Sequence, residues 1–235
     1  MSTRTLEDEE VKRLIIDLLK NPGERDKQAL IGASEIGNPC DYCVAHRLVK
    51  TPKKGSLYWL GAKLGTAMHR ELEFEEVKHI EVPENYRFEA LEGALIEEKI
   101  VLGEIEGYGV IKSKPDLVLV KHNHLIDHKS STKKRVAGYK LDGVPKQYVY
   151  QQQLYAWGLN RAGVPIERIS LSFVNRDGST DNDVWIHSFD YDESLALRAW
   201  DRLESMWKWL QDGNDPDTLA SAPGCFYCEQ VLHRW

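Results

Sequence analysis

The spacing of apolar residues changes along the chain, from a helical period near the amino end to an alternating period in the middle. Apolar residues recur every three or four positions over residues 11–19. Because Thr5 and Asp8 before them resemble a capping box and a Pro-Gly stop follows, they predict a first helix. Ser34 is expected to cap a short second helix. A longer helix is predicted over residues 58–77, with a buried stripe of Leu60, Leu64, Met68 and Leu72.

The middle of the chain contains short segments rich in Val, Ile and Leu that are separated by Gly or Asn. Such segments predict a meander of strands. They cover residues 94–102, 107–112, 116–120 and 124–129.

Helical and alternating patterns also occupy the rest of the chain. Pro145 opens a predicted helix that ends near Asn160 and is apolar on most faces, so it should be largely buried. Two alternating segments around Asp177 and Gly178 predict a hairpin, and an amphipathic helix is predicted over residues 193–211. The order of these elements predicts an α/β fold in which helices flank a central mixed sheet.

Length, composition and charge limit the kind of protein. The chain has 235 residues, of which 42% are hydrophobic, which suits one globular domain. No apolar run approaches the roughly 18 residues of a membrane span, and the amino end is too charged for a secretory signal. A soluble cytoplasmic protein with no membrane partner is therefore expected.

The net charge of −6 argues mildly against nucleic acid as a partner, because Lys and Arg bind phosphate groups. The distribution of charge matters more than the sum, since a metal site concentrates carboxylates. Basic residues form three clusters, each of which taken alone is an ordinary solvated surface. These clusters are Lys50/Lys53/Lys54, Lys112/Lys114 and Lys133/Lys134/Arg135/Lys140.

The sharpest chemical signal is a pair of acidic residues followed by a lysine. Ten residues separate Asp116 from Asp127, and Lys129 follows two positions later. If both stretches are neighbouring strands, Asp127 and Lys129 share a face because strand side chains alternate, and Asp116 can lie opposite them. Two carboxylates can hold a divalent cation that polarises a phosphoryl group and activates water, while an ammonium group stabilises developing charge. The alternative interpretation is a solvent-facing hairpin with ordinary surface charges.

Three further polar residues strengthen the catalytic interpretation. His69 lies on the predicted helix over residues 58–77, off its apolar stripe, and an imidazole is a good ligand for a manganese-like ion. Gln151 and Tyr155 are four residues apart on the predicted buried helix, hence on one face. Their polar ends either find partners in the core or line a cleft that receives a strand of nucleic acid.

All four cysteines of the chain stand in two Cys-x-x-Cys pairs, Cys40 with Cys43 and Cys225 with Cys228. Two such pairs complete a four-thiolate metal site. Structural disulfides are not expected in an intracellular chain, and chance would rarely place four free thiols in two matching pairs. The Cys-x-x-Cys spacing is compatible with either zinc or an iron–sulfur cluster, and it is commoner in zinc sites.

The ordered set of motifs resembles the RecB-like branch of the PD-(D/E)XK nucleases, which includes CRISPR-associated RecB-like exonucleases and phage recombination exonucleases. The motifs are Gly65-x-x-x-His69, Lys114-Pro115-Asp116, Ile126-Asp127-His128-Lys129-Ser130-Ser131 and Gln151-x-x-x-Tyr155. The resemblance implies a restriction-endonuclease-like core in a single domain over residues 1–235. The implied parts are a helical extension at 1–33, cluster-binding segments at 34–50 and 220–235, and a nuclease core at 58–189.

The resemblance also implies a role for each matching residue. The ligands of Mg²⁺ or Mn²⁺ would be His69, Asp116, Asp127 and the carbonyl of His128. Lys129 would be the catalytic lysine, and Gln151 with Tyr155 would orient that lysine or contact DNA. Glu98 is the candidate match to an acidic residue that precedes the first motif strand.

For the cysteines, the resemblance favours a [4Fe-4S] cluster over structural Zn²⁺, because cluster-bearing members place cysteines before the histidine motif and near the carboxyl end. This chain departs from their commoner arrangement of one early and three late cysteines, since Cys40 and Cys43 are both early. In either case the metal would join the two ends of the chain.

The implied activity is a metal-dependent DNA exonuclease acting on single strands or duplex ends, in recombination, repair or phage DNA metabolism. A helicase, a recombinase or a CRISPR adaptation protein would be a partner, since the chain has no Gly-x-x-x-x-Gly-Lys-Ser/Thr motif of an ATP-driven motor. The alternatives are a non-catalytic nucleic-acid-binding module and an endonuclease of the same fold. Tyr139, Tyr148 and Trp157 are candidates for stacking on bases, with core packing favoured for Trp157.

Overall fold

The computed structural model describes residues 30–50, 59–72 and 93–229. The helix predicted over residues 11–19 lies outside the described residues, and so does the end of the helix predicted to reach residue 77. The described helices are α1 (Ala33–Ile36), α2 (Asp41–Leu48), α3 (Trp59–Leu72), α4 (Lys133–Asp142), α5 (Lys146–Arg161), α6 (Glu193–Gln211) and α7 (Phe226–Glu229). None of them combines the length and apolar character that crossing a bilayer requires.

Local sequence explains where several helices begin. The side chain of Thr132 accepts a hydrogen bond from the N–H of Arg135 and so caps α4, and Asp192 caps α6 by accepting from the N–H of Ser194. Helix α5 begins directly after Pro145. The helices predicted over residues 146–160 and 193–211 are therefore confirmed.

The strands form one five-stranded mixed sheet and one two-stranded sheet. They are β1 (Leu95–Ile96), β2 (Ile100–Ile105), β3 (Gly109–Ser113), β4 (Leu117–Leu119), β5 (His124–Ser131), β6 (Arg168–Asn175) and β7 (Val184–Asp190). The larger sheet has the order β1-β4-β5-β6-β7, in which β5 and β6 run parallel and the other neighbours antiparallel. Helices α4 and α5 make the crossover between the parallel strands. The predicted mixed sheet with flanking helices is confirmed.

The predicted meander is only partly correct. Strands β4 and β5 pair as neighbours, but β2 and β3 leave the main sheet and pair with each other. Two glycines permit β2 to pack closely on the helices: a Cβ on Gly158 would lie 3.2 Å from the carbonyl oxygen of Val101, and a Cβ on Gly103 would overlap the ring of Trp200. Alternation predicts a strand but does not specify the sheet that the strand joins.

The core brings α5 and α6 together with strands of both sheets. Its fully buried side chains include Leu102, Ile111, Leu125, Leu154, Ile169 and Leu203. Burial of each such side chain stabilises the fold by about 1.5–3 kcal/mol. The rings of Trp157 on α5 and Trp200 on α6 pack with centroids 5.2 Å apart.

Two local expectations are wrong. Ser34 lies within α1, whose N-cap is Gly32, and the N–H of Gly32 donates to the carboxylate of Glu35. Leu64 is 49% exposed rather than buried. The side of α3 that faces the sheet carries His69, and five residues along a helix correspond to about 140° of rotation, which turns Leu64 away.

Helix α4 is absent from the sequence prediction. Its first turn is basic and its only buried residue is Val136, so the apolar stripe is too short to give a helical period. The helix nevertheless follows directly after the strand that carries Asp127 and Lys129, so it determines what surrounds them.

Candidate active site and cysteine centre

Strands β4 and β5 bring the two predicted acidic residues together. Leu117 pairs with Ile126 in the antiparallel register, so the next position along each strand places Asp116 opposite Asp127. The carboxylate of Asp116 accepts a hydrogen bond of 2.7 Å from the backbone N–H of His128, which holds it against β5. The cross-strand arrangement expected from the sequence is therefore the observed one.

Lys129 is the centre of a chain of polar contacts. Its Nζ lies 2.5 Å from Oδ2 of Asp127, and the two side chains are only 17% and 1% exposed. The same Nζ donates to Oε1 of Gln151 at 3.3 Å, and Nε2 of Gln151 donates to Oη of Tyr155 at 3.0 Å. Gln151 and Tyr155 thus find partners inside the protein, and Gln151 contacts the lysine directly.

Burial and charge shift the protonation of these groups. Removal from water raises the pKa of Asp127 to about 6, helped by the charge of Asp116 and opposed by the ammonium group of Lys129. Burial acts to lower the pKa of Lys129, but the two carboxylates outweigh it and the pKa rises. Burial also raises the pKa of Tyr155, so its hydroxyl stays protonated. The lysine is therefore held as a cation beside two carboxylates.

A second set of side chains approaches Asp116 from α3 and from the turn after β1. Nδ1 of His69 lies 3.4 Å from Oδ2 of Asp116. With Glu97 they form a group whose ligand atoms all lie within 4.8 Å of one another. The N–H of Glu97 donates to the carbonyl of Asp116 at 3.1 Å, and its φ of 48° is rare for a residue other than glycine. Two carboxylates and an imidazole suit Mg²⁺ or Mn²⁺.

Glu97, and not Glu98, is the acidic residue at this site. The side chain of Glu98 is exposed, and it does not belong to the group around Asp116. Strand alternation gives no basis for choosing between adjacent glutamates here, because β1 is only two residues long and the left-handed conformation of Glu97 interrupts the alternation.

Two of the predicted metal ligands lie outside that group. Oδ2 of Asp127 faces Lys129, as described above. The ring of His128 lies 6.4 Å from that of His69, and its two buried nitrogens have no hydrogen-bond partner among the described residues. Burial lowers the pKa of the His128 ring, which favours its neutral form. The ligand roles of Asp127 and of the His128 carbonyl stay predictions.

The four cysteines come together from the two ends of the described chain. Sγ of Cys43 lies 3.8 Å from that of Cys225 and 3.3 Å from that of Cys228, and Cys40 lies 3.7 Å from Cys228. All four sulfurs lie within 4.8 Å of one another. The sequence-based expectation that these pairs join the two terminal segments is confirmed.

Four thiols at this spacing can bind a metal. Burial raises the pKa of Cys43 and raises that of Cys228 to about 12, and neighbouring thiolates add to the shift, so a cation is needed before all four can ionise. A tetrahedral ion with metal–sulfur bonds of about 2.3 Å places its sulfurs about 3.8 Å apart. The observed distances of 3.7 and 3.8 Å match that spacing, and the Cys43–Cys228 distance of 3.3 Å is shorter. A [4Fe-4S] cluster would require the side chains to move outward.

Helix α5 contacts both the cysteine segments and Lys129. Nε2 of Gln147 donates to the carbonyl of Ser34 at 2.9 Å and to Oη of Tyr227 at 3.2 Å. A Cβ on Gly37 would lie 2.8 Å from the carbonyl oxygen of Gln147, so only glycine permits this approach. Because α5 also carries Gln151, the cysteine segments pack directly on the helix that contacts Lys129.

Sequence comparison finds no match, either to the models of known protein families or to curated proteins. Comparison with solved structures finds the alkaline exonuclease from Laribacter hongkongensis, with a TM-score of 0.51 and 14% identity over 80% of this chain and 91% of that chain. The chain therefore shares its fold with this exonuclease. A structure of the same exonuclease in complex with dAMP gives a TM-score of 0.49 and 13% identity, over 79% of this chain and 89% of that chain. A phage related exonuclease from Haemophilus somnus gives a TM-score of 0.38 and 12% identity, over 79% of this chain and 96% of that chain.

Three aromatic residues were candidates for stacking on bases, and the core packing favoured for one of them, Trp157, is confirmed. Trp157 is 7% exposed and packs in the core. Tyr139 and Tyr148 are half-buried, and Nζ of Lys129 lies 5.1 Å from the ring centre of Tyr148. These two tyrosines adjoin the candidate site.

Proposed function

We propose that the chain is a metal-dependent deoxyribonuclease that degrades DNA from its ends. The observation that carries the proposal is the convergence of Asp116, Asp127 and Lys129 in one buried place beside His69. Folding does not require such a cluster, because burial of each charged group is costly. The similarity of fold to an alkaline exonuclease supports the same reaction class.

The proposed reaction is hydrolysis of a phosphodiester bond. A bound Mg²⁺ or Mn²⁺ would polarise the phosphoryl group and lower the pKa of a water molecule. His69, Glu97 and Asp116 would hold that ion, with Asp127 and the carbonyl of His128 completing the predicted ligand set. The backbone N–H of His128 holds the carboxylate of Asp116 in place for this task.

Lys129 would act on the reacting atoms directly. Its ammonium group would hold the attacking hydroxide or stabilise the negative charge that develops on the phosphate. Gln151 fixes the direction of that ammonium group, and Tyr155 fixes the amide of Gln151. Both are positioning residues in this scheme.

Incubation of closed circular DNA and end-labelled linear DNA with Mn²⁺ tests the proposal. Degradation of linear DNA alone, with release of mononucleotides, is the expected result. Cutting of the circle would reassign the chain as an endonuclease of the same fold. If neither DNA is cut, the proposal fails and a non-catalytic nucleic-acid-binding module is favoured.

The substrate and setting follow from the RecB-like resemblance. We propose single-stranded DNA or duplex ends as the substrate, in recombination, repair or phage DNA metabolism. A helicase, recombinase or CRISPR adaptation protein would then present the DNA end in the cytoplasm.

We further propose that the four cysteines hold a structural metal. The resemblance supports a [4Fe-4S] cluster, and the spacing of the sulfurs supports a single Zn²⁺. Metal analysis and visible absorption of anaerobically purified protein distinguish the two, because the cluster gives brown protein with iron and sulfide and zinc gives colourless protein. Protein that lacks both metals after anaerobic purification would contradict the proposal.

A further inference from the structure

The side chain of Gln147 joins both terminal segments to the start of α5. Its Nε2 donates to the carbonyl oxygen of Ser34 at 2.9 Å and to Oη of Tyr227 at 3.2 Å, and a primary amide has the two N–H groups that this requires. Ser34 lies shortly before the first cysteine pair, and Tyr227 lies inside the second pair. One amide therefore connects α5 to both ends of the described chain.

Gln147 belongs to the same side of α5 as the residues proposed to position Lys129. Gln147, Gln151 and Tyr155 are spaced four residues apart, so they follow one another along one side of the helix. Oε1 of Gln151 accepts from Nζ of Lys129 at 3.3 Å. The contacts thus form a series that runs from Tyr227 through Gln147 and one turn of α5 to Lys129.

The backbone of the first terminal segment packs against the same turn of α5. A Cβ on Gly37 would lie 2.8 Å from the carbonyl oxygen of Gln147 and 3.0 Å from the backbone nitrogen of Gln151. The guanidinium group of Arg202 on α6 donates to the carbonyl oxygens of the residues before and after Gly37, which holds this segment in place. A shift of either terminal segment would therefore act on the turn that carries Gln147 and Gln151.

Tyr227 has a counterpart in the first cysteine pair, since both pairs read Cys-x-Tyr-Cys. The counterpart is Tyr42, and its ring packs on that of His46 with centroids 4.3 Å apart. Burial raises the pKa of the Tyr227 hydroxyl, and the hydrogen bond from Gln147 and the charge of Lys129 oppose that rise. Tyr227 is thus the one of these two tyrosines that bonds to α5, and it lies near enough to Lys129 to be affected by its charge.

We infer that Tyr227 is a positioning residue of the nuclease site and that the second cysteine pair holds it against Gln147. The hydrogen bond between Tyr227 and Gln147 fixes the first turn of α5, and the next turn directs the amide of Gln151 at Lys129. Tyr227 acts through these side chains and does not touch the reacting phosphate. The inference rests on the proposed nuclease function and adds to it a role for the carboxyl-terminal segment in the cleavage step.

Two tyrosine-to-phenylalanine variants form a matched pair. Tyr227→Phe removes one hydroxyl group and keeps the ring, and Tyr42→Phe makes the same change in the first cysteine pair. The rate of degradation of end-labelled linear DNA is measured with Mn²⁺ over a range of DNA concentrations. Tyr227→Phe should lower kcat at least about 5-fold with KM within about 2-fold, because Lys129 is misdirected while DNA still binds, and Tyr42→Phe should leave both within about 2-fold.

The two constants separate a positioning role from a purely structural one. A contact that only fastens the terminal segment to the core would change stability and leave kcat unaltered. Loss of one hydrogen bond should lower the melting temperature of Tyr227→Phe by only about 2–4 °C, so the rates refer to folded protein. A kcat of Tyr227→Phe within about 2-fold of the parent value, or an equal loss in the two variants, overturns the inference.

A double variant tests whether Tyr227 acts through Gln147. Gln147→Leu removes both hydrogen bonds of that side chain. Gln147→Leu/Tyr227→Phe should be no more than about 2-fold slower than Gln147→Leu alone, because residues that act in one series do not give multiplied losses. Multiplied losses would show that the two residues act independently and would overturn the series.

Removal of a thiol tests whether the second cysteine pair holds Tyr227. Cys225→Ala, assayed well below its melting temperature, should lower kcat by at least the factor observed for Tyr227→Phe. Adding Tyr227→Phe to Cys225→Ala should then lower kcat by no more than about 2-fold further, because the hydroxyl is already displaced. A parent-like kcat in Cys225→Ala overturns the role of the cysteine pair.

Hydrogen exchange without Mn²⁺ and DNA separates this inference from the nuclease reaction. The side chain of Gln151 is 6% exposed and its Nε2 donates to Oη of Tyr155, so its amide protons should exchange slowly with water. Nuclear magnetic resonance of ¹⁵N-labelled protein should show exchange at least about 5-fold faster in Tyr227→Phe and within about 2-fold of the parent rate in Tyr42→Phe. Unchanged exchange in Tyr227→Phe overturns the inference. If the parent chain cleaves no DNA, the proposed function fails, while the exchange rates still decide whether Tyr227 positions Gln151.

Discussion

Nζ of Lys129 lies 2.5 Å from Oδ2 of Asp127, in a place where the carboxylate is only 1% exposed. A buried carboxylate without a partner is strongly unfavourable, and so is a buried ammonium group. Each group therefore keeps the other charged. Asp116 on the neighbouring strand adds a second carboxylate, and it raises the pKa of Lys129 further. Removal of one partner should consequently lower both the rate of cleavage and the free energy of unfolding.

The variant Lys129→Met tests this pair. We expect cleavage to fall at least about 100-fold, because no cation then stabilises charge on the phosphate. At pH 7.5 the free energy of unfolding should fall by about 3–5 kcal/mol, since Asp127 becomes an unpaired buried charge. The loss should be smaller at pH 5. The pKa of Asp127 in the folded protein is about 6, well above its unfolded value, so at pH 5 the carboxylate is protonated and carries no unpaired charge. Urea denaturation at both pH values measures this, and equal losses would contradict it.

The variant Asp116→Asn should abolish cleavage while leaving the fold intact. The amide oxygen can still accept from the N–H of His128, but it carries no charge for a divalent cation. We expect a loss of at least about 1,000-fold in Mn²⁺-dependent cleavage with an unchanged circular dichroism spectrum. Activity within 10-fold of the parent chain would remove Asp116 from the active site.

Two adjacent glutamates provide a matched pair for the metal site. Glu97→Gln should weaken Mn²⁺ binding at least about 10-fold, because it removes one of two carboxylates within reach of His69. Glu98→Gln should have little effect, since that side chain is exposed and outside the group. Isothermal titration calorimetry measures both affinities. A larger effect at Glu98 would contradict the placement of the two side chains.

Metal binding should weaken as the pH falls. Burial lowers the pKa of His69, but Asp116 outweighs it and the pKa is raised. In metal-free protein this pair stabilises the fold fully below the ordinary histidine pKa of about 6.5, and the stabilisation is lost as the pH rises through the folded value. The proposed ligands bind a metal only when His69 is neutral and Asp127 is ionised, so metal binding should have the opposite dependence.

We therefore expect the affinity for Mn²⁺ to be at least about 10-fold weaker at pH 5.5 than at pH 7.5. Mn²⁺ should also raise the melting temperature by less at pH 5.5 than at pH 7.5. Thermal melts with and without the ion measure this. His69→Gln, in which the titrating ligand is missing, is the control and should show a shallower dependence. If Mn²⁺ raises the melting temperature most at pH 5.5, the proposed ligands are contradicted.

The variant Cys225→Ala should lose the metal of the cysteine centre and much of the stability that it provides. Three thiols remain, and the connection between the two terminal segments is weakened. We expect a melting temperature lower by at least about 5 °C, with Mn²⁺ affinity at the other site within about 3-fold. Full thermal stability with unchanged metal content would show that the centre has no structural role.

The acid–lysine arrangement could be predicted from the sequence because it depends on local geometry. Asp127 and Lys129 share a face in any extended strand, and one antiparallel neighbour suffices to place Asp116 opposite them. For Gln151 and Tyr155 the sequence left two alternatives, partners in the core or a cleft for nucleic acid. Helical spacing shows that the two side chains share a face of the helix, but it does not show what that face contacts.

The features that could not be predicted depend on tertiary structure or on unusual backbone conformation. Glu97 reaches Asp116 through a left-handed residue, which breaks the alternation on which strand predictions depend. Leu64 is exposed because α3 packs on the sheet with the side that carries His69, and Leu64 lies on another side of the helix. Helix α4 has too few apolar residues to give a helical period, so the sequence does not reveal it.

The cysteine centre also sets an order of events during biosynthesis. Cys40 and Cys43 leave the ribosome early, whereas Cys225 and Cys228 follow every residue proposed to act in catalysis. A nascent chain can therefore form its β4–β5 hairpin and contain all the acidic groups while half of the thiolates are still missing. Insertion of the proposed metal would then have to follow synthesis of Cys228, and protein made without that metal would have its two terminal segments unconnected at this centre.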